Sequence, residues 1–196
     1  MKNKAVFLDR DGTINYDTGY IGDPNLIKLY PGVSEGIKKL KDEFGFKIIV
    51  ISNQSGITRG LITEEDVQKV NARINQILNE NNTEIDKFYY CPFHPEFDSK
   101  ELSECRKPSP ALVYVAAEKN DIDLAKSFFI GDKDVDVMCG INAGVKTILL
   151  QNTISSEEIN RLKNSKNSPN FIASNFYNAV NYIESFFNGE IVEEFN

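Results

Sequence analysis

Short apolar runs, each cut off by polar residues, alternate along this chain with longer stretches in which apolar residues recur every three or four positions. Residues 4–8 (KAVFL), 46–51 (FKIIVI), 127–130 (SFFI) and 146–150 (KTILL) are nearly unbroken apolar segments, as expected of parallel strands buried on both faces. Residues 86–90 and 171–173 predict two further strands. Between them, Val33, Ile37, Leu40 and Phe44, and then Val67, Val70, Ile74, Ile77 and Leu78, fall at helical spacing. Gly45 can end the first of these helices. Thr63, with Asp66 three positions on, reads as a capping box with Asp in place of Glu. Ser109-Pro110 supplies an N-cap and a first helical position for a helix to about residue 118.

A short helix then runs to about Asn142, and residues 151–169 read as an exposed helix plus a loop. Ser174 caps a last helix whose buried stripe is Phe176, Val180, Ile183 and Phe187, and the tail from Gly189 to Asn196 reads as frayed. Residues 13–30 have no helical period and carry Gly19, Gly22 and Pro24, so they form an irregular flap. Residues 91–107 form a second loop. Strands alternating with helices predict an α/β fold: a doubly wound parallel sheet with helices on both faces, in one domain over residues 1–196.

Composition narrows what such a sheet is for. With 196 residues, 41% hydrophobic and 26% charged, the chain suits a globular domain with a substantial core. No apolar stretch approaches the roughly 20 residues that cross a bilayer. The first strand begins too early for a signal peptide's apolar region, so cytoplasmic residence without membrane partners is the expectation. The three cysteines, Cys91, Cys105 and Cys139, are too few for a disulfide framework and read as reduced thiols. A net charge of −7 argues against nucleic acid as a partner. It does not exclude a small anionic substrate held by a local group of metal and basic side chains. A monomer is the expected state.

The chemistry gathers where the strands stop. Strand 4–8 runs into Asp9-Arg10-Asp11-Gly12-Thr13. On an extended backbone Asp9 and Asp11 leave one face and Arg10 the other. On its own such an Asp-x-Asp is also an ordinary charged surface turn. Strand 46–51, however, ends in Ser52-Asn53-Gln54-Ser55, strand 127–130 in Asp132 to Asp136, and Cys105-Arg106-Lys107-Pro108 stands just before a helix. In a parallel sheet all these strand ends share one edge, where ligands bind.

Asp9, Asp11 and Asp132 offer hard oxygen ligands suited to Mg²⁺. Ser52 and Lys107 offer a hydroxyl and a cation to anionic oxygens. Together they describe a phosphoryl-transfer site, in which Asp9 attacks phosphorus and Asp11 moves the proton. A calcium loop fails, because the sixth and twelfth positions are Ile14 and Tyr20 counted from Asp9, and Val137 and Ala143 counted from Asp132.

FLDRDGTIN, VISNQSGI, the RKP before a helix and GDKDVD resemble, in order, the four motifs of the haloacid dehalogenase (HAD) superfamily. Within it they most resemble the branch of heptose 1,7-bisphosphate 7-phosphatases and histidinol-phosphatases. The resemblance implies Asp9 as nucleophile, Asp11 as acid/base, and Mg²⁺ held by Asp9, Asp132 and Asp11, the last through its main-chain carbonyl. It further implies Ser52 and Lys107 as partners of the transferring phosphoryl group, and Asp136 as a support of the metal site. Asp17, Thr18, Gly19 and Tyr20, Ser52 to Ser55 (with Asn53 and Gln54 between), Arg106 and Lys133 match positions that touch substrate.

The small phosphorylated sugar implied is heptose 1,7-bisphosphate. The alternatives are histidinol phosphate, another small sugar phosphate, or a non-catalytic phosphosugar-binding module. Neither residues 13–51 nor residues 56–106 leave room for a cap domain, so the flap and the 91–107 loop must supply recognition. Arg59 can reach a distal phosphate or serve as a surface residue. In much of this branch the 91–107 loop holds structural zinc through Cys-x-His and Cys-x-Cys. Here these read Cys91-Pro92-Phe93 and Ser103-Glu104-Cys105, with His94 one place late. Three ligands at most (Cys91, His94, Cys105) argue against a structural zinc, which is almost always four-coordinate. Packing by Phe93 and Phe97 is the expected substitute.

Overall fold

The computed structural model describes residues 2–189, so the expected fraying beyond Gly189 falls outside the described residues. Six strands, β1 (Ala5–Leu8), β2 (Lys47–Asn53), β3 (Lys87–Cys91), β4 (Phe128–Gly131), β5 (Lys146–Leu150) and β6 (Phe171–Ala173), form one sheet in the order β3-β2-β1-β4-β5-β6. All neighbours are parallel, with Phe7 opposite Ile49 on one side and Phe129 on the other. The helices are α1 (Val33–Asp42), α2 (Glu64–Asn79), α3 (Lys100–Ser103), α4 (Ala111–Asn120), α5 (Asp134–Ala143), α6 (Ser156–Lys163) and α7 (Phe176–Phe187). The chain leaves β1 toward β2 on one side and returns to β4 on the other. The carboxyl ends of β1 and β4 are therefore the switch point at which doubly wound sheets bind ligands. Among the described residues no further folded layer covers that edge.

Alternation along the strands divides the core between the two faces. Val6, Leu8, Ile48, Val50, Phe128 and Ile130 pack against α1, α2 and α7. Ala5, Phe7, Ile49, Ile51 and Phe129 pack against α4 and α5 through Val113, Ala116 and Cys139. Both faces of the central strands are thus dry, which is why they read as continuous apolar runs.

The predicted elements shift slightly. β2 continues through Ser52 and Asn53 because β3 pairs with both, opposite Tyr90 and Cys91. The Thr63–Asp66 capping box forms in both directions. Pro110 rather than Ser109 is the N-cap of α4, although the Ser109 hydroxyl still accepts from the Ala111 N–H at 3.3 Å. Asn175, not Ser174, caps α7 by accepting from the Asn178 N–H.

The 91–107 loop departs further from expectation. Cys91 and Cys105, read as reduced thiols and as zinc candidates, are joined in a disulfide across a Cα separation of 5.4 Å, while Cys139 is free and buried. A count of cysteines says nothing about proximity, and here the sheet edge supplies it. Cys91 ends β3 opposite Asn53, and Asn53 holds the backbone of Lys107, two residues past Cys105. His94 instead accepts from the Glu96 N–H through Nδ1. Phe97 does not fill a loop core: it is 56% exposed, lies at a tilt beside His94 and carries the Arg59 guanidinium over its ring. No described helix is long and apolar enough to cross a membrane.

Phe128 is fully buried and meets Phe46, Phe186 and Phe187. Phe128→Ala should therefore lower the unfolding free energy by about 3–5 kcal/mol, read as a fall in urea midpoint at constant slope.

Candidate active site

Asp9 directly follows β1, and its N–H continues the ladder to the Ile130 carbonyl at 3.0 Å. Its carboxylate is buried and receives the Lys107 ammonium at 2.6 Å. The same ammonium meets Asp136 Oδ1 at 2.7 Å. Lys107 comes from the loop before α4 and is 3% exposed. Two hydrogen bonds from Asn53 place its backbone: Oδ1 accepts the Lys107 N–H at 3.0 Å, and Nδ2 donates to the Lys107 carbonyl at 3.2 Å. Asn53, which the sequence offers as a substrate contact, is thus also a clamp on the lysine.

Asp132 and Asp136 follow β4 and open α5. Asp136 Oδ2 accepts from the Lys133 N–H, which fixes its carboxyl at the helix start. Asp132 is fully buried and accepts from the Thr13 hydroxyl at 3.0 Å and from the Thr153 hydroxyl. Glycine is required beside it: Gly12 lies at φ +93°, and a Cβ there would stand 2.2 Å from Asp132 Oδ2. One carboxylate oxygen from each of Asp9, Asp132 and Asp136 lies within 4.8 Å of the others. That donor set of hard, buried oxygens fits a divalent cation of the Mg²⁺ class.

Asp11 behaves differently from its sequence reading. The strand ends at Leu8 and the chain turns back on the Arg10 carbonyl, so the alternation of faces lapses. Arg10, expected to point away, is fully buried, and its guanidinium returns to Asp11 at 2.8 Å while also meeting Gln54 and Asn71. Asn15 and Gln54 each add a hydrogen bond of 2.9 Å to the Asp11 carboxylate. The side chain of Asp11 consequently stands outside the three-acid cluster.

The remaining predicted residues divide. Asp17, Gly19, Tyr20, Asn53, Gln54, Arg106, Lys107 and Lys133 line a cavity of about 300 Å³ together with Asp9 and Asp11. Thr18, Ser52 and Ser55 are not on its walls. Ser52 and Ser55 are buried, and Ser52 Oγ accepts a long 3.4 Å bond from Gln54. Asp17 docks the flap by an ion pair of 3.1 Å to Lys133. Arg59 lies between the rings of Tyr20 and Phe97 and pairs with Glu96.

Thr13, Asn152 and Thr153 belong to the site and escape the sequence reading. Asn152 donates to the Gly12 carbonyl at 2.8 Å. Their signal was present, since Gln151-Asn152-Thr153 is one more polar run at the end of a buried strand.

Three buried carboxylates lie together, and one buried ammonium pairs with two of them, Asp9 and Asp136. Burial, with the neighbouring charges of Asp136 and Asp132, pushes Asp9 up to about 7 against the pull of Lys107. Burial and Asp136 likewise raise Asp132. Burial would lower Lys107, but Asp136 and Asp9 outweigh it and raise its pKa. Burial would raise Asp11, but the Arg10 charge and the bonds from Arg10, Asn15 and Gln54 hold it below the ordinary carboxylate range.

Because the Lys107 pKa is raised, its contribution to stability is complete below its unfolded value and is lost only in strong alkali. Lys107→Met should therefore cost about 3–5 kcal/mol at neutral pH, as expected when one partner of a buried pair is removed. The cost should shrink toward pH ~5 as Asp9 protonates. Urea titrations at the two pH values check this.

A HAD-hydrolase-like family model matches residues 104–179. A D-glycero-D-manno-heptose-1,7-bisphosphate 7-phosphatase of Chlorobaculum tepidum is 41% identical over 186 residues, covering 90% of this chain and 92% of that protein. A D-glycero-beta-D-manno-heptose-1,7-bisphosphate 7-phosphatase of Helicobacter pylori is 42% identical over 149 residues, covering 76% and 83%. Among solved structures, the D,D-heptose 1,7-bisphosphate phosphatase of B. bronchiseptica, complexed with magnesium and phosphate, superimposes with a TM-score of 0.82. It covers 93% of this chain and 99% of its own, and at 23% identity the likeness is one of fold. The sheet order, the strand-end acids and the near-full-length relatives agree: this chain belongs to the HAD-like phosphatases, in the branch of the heptose 1,7-bisphosphate 7-phosphatases.

Proposed function

We propose that the enzyme removes the 7-phosphate of D-glycero-D-manno-heptose 1,7-bisphosphate, using Mg²⁺ and passing through an aspartyl-phosphate on Asp9. The observation that carries this reading is the buried Asp9 at the β1/β4 switch point, with Lys107 at 2.6 Å and Asp132 and Asp136 beside it. Asp9 and Asp132, with Asp136 beside them, would hold a divalent cation, joined by the main-chain carbonyl of Asp11 as the family resemblance implies; it would supply the positive charge that lets a carboxylate approach a phosphate dianion. Lys107 adds charge on the same oxygens and is held in place through Asn53 and Asp136.

In the first half, Asp9 Oδ forms a bond to phosphorus, the ester P–O bond breaks, and the leaving oxygen takes a proton from Asp11. In the second, water attacks phosphorus, its proton passes to Asp11, and the bond to Asp9 breaks. The grip of Arg10 holds Asp11 as a carboxylate, the form needed for the second half. The incoming dianion disfavours a second negative charge beside it, and so supports the protonated form needed for the first. The open site leaves recognition to Tyr20, Arg106 and Lys133 along the cavity wall.

Two outcomes test this. Phosphate release from heptose 1,7-bisphosphate should require Mg²⁺ and fall at least ~10³-fold in Asp9→Asn; full activity in that variant would remove Asp9 from the nucleophile's place. Because Asp9 without metal takes up a proton near pH 7, Mg²⁺ binding should expel it. Affinity should rise as pH increases toward about 7 and level off above. Calorimetry at pH ~6.5 in two buffers of different ionisation enthalpy reads the released proton directly.

A further inference from the structure

Residues 99–106 run from the N-cap of α3 to Arg106, and none of them is buried. Every hydrogen bond they make ends within residues 99–109, and no ion pair among the described residues leaves the segment. Their tie to the sheet is covalent. Cys105 is bonded to Cys91, whose main chain is built into the end of β3, opposite Asn53 and accepting from the Gln54 N–H at 2.8 Å. The residues on either side are anchored by other means. Before the segment, Asp98 accepts from the Thr58 hydroxyl at 3.0 Å and Glu96 pairs with Arg59. After it, Lys107 is held by the Asn53 amide. Arg106 lines the active-site cavity, yet its guanidinium makes no hydrogen bond or ion pair among the described residues. Its place there depends on the course of the segment that the disulfide secures.

We propose that Cys91–Cys105 is a reversible thiol–disulfide modification site, at which a dithiol reductant releases the loop and weakens substrate binding while chemistry at Asp9 keeps its rate. The two sulfurs differ in access. Cys91 is fully buried and Cys105 partly exposed, so an incoming thiolate meets the Cys105 sulfur. A bond forms between that sulfur and the reductant, the bond to Cys91 breaks, and Cys91 departs as a thiolate that takes up a proton. The reductant's second thiolate then attacks its own sulfur in the mixed disulfide, and Cys105 leaves as the second thiol. Two electrons and two protons pass to the protein, and the reductant ends as a disulfide. The reverse exchange takes a small-molecule disulfide as oxidant. Opening the bond frees residues 99–106 and with them Arg106, whereas Asn53 still registers Lys107 against β2. The effect on turnover rests on the phosphatase reading above; the effect on the loop does not.

The test uses the full chain with Mg²⁺ and heptose 1,7-bisphosphate, after incubation with oxidised glutathione or with dithiothreitol. Thiols counted in denatured protein, once the reagent is removed, should number one (Cys139) in the oxidised form and three in the reduced form. Reduction should raise KM about tenfold, the scale of one lost hydrogen bond to a charged group. It should change kcat less than about twofold, as expected where only binding common to the ground and transition states is lost. Cys105→Ser, at a partly exposed position, should match the reduced form and be indifferent to dithiothreitol, with thermal unfolding to check that it is folded. Amide hydrogen exchange should quicken in residues 99–106 on reduction and stay unchanged in β2 and β3. A KM that is equal at one and at three thiols, a kcat that falls as far as KM rises, or a bond that dithiothreitol leaves intact in the folded protein overturns the site. Phosphate release in neither form overturns the phosphatase reading, and hydrogen exchange then decides alone whether the bond governs the loop.

Discussion

One buried ammonium among three buried carboxylates is the constraint to which the rest of this structure answers. Lys107 reaches both Asp9 and Asp136, and Asp132 completes a group with more negative charge than its single cation neutralises. Taking such a group out of water is expensive. It persists because every member is fixed by something rigid: Asp9 by the sheet ladder, Asp136 by the first turn of α5, Asp132 by two threonine hydroxyls, and Lys107 by Asn53. The residual negative charge is also what makes the cluster receptive to a divalent cation. The same imbalance that costs stability in the bare protein thus prepares it for phosphoryl chemistry.

The fold's contribution is convergence. Residues drawn from four strand ends and one loop meet because parallel strands all finish on the same edge, and the order β3-β2-β1-β4-β5-β6 puts the two richest ends side by side. Continuous apolar strands with helices on both faces make that edge stiff. The flap and the 91–107 loop are built differently, from ion pairs such as Asp17–Lys133 and from aromatic contacts around Arg59. The site therefore divides into a rigid floor and a polar rim.

Much of the floor is legible in the sequence, because buried strands and the acids that end them are local patterns. β5 and β6 fall where the apolar runs place them, and the Thr63 capping box is visible as spacing alone. What the sequence conceals is whatever depends on contact between distant segments. Arg10 alternates away from Asp11 on paper and curls back to it in space. Cys91 and Cys105 read as separate thiols until the sheet edge brings them together. Thr153 stands in a visible polar run, but its hydroxyl becomes a support for Asp132 only when β5 and β4 are known to end at the same level.

The clamp that Asn53 places on Lys107 has a consequence for how such a site can diversify. The amide holds main-chain atoms, not the loop's side chains, so the ammonium is registered against β2 whatever precedes it. Residues 92–104 can then change in length and composition, exchanging one way of tying the loop for another, without displacing the ammonium that meets Asp9. The recognition proposed for this loop and the placing of Lys107 rest on different anchors, so selection can revise the first while the second stays where it is.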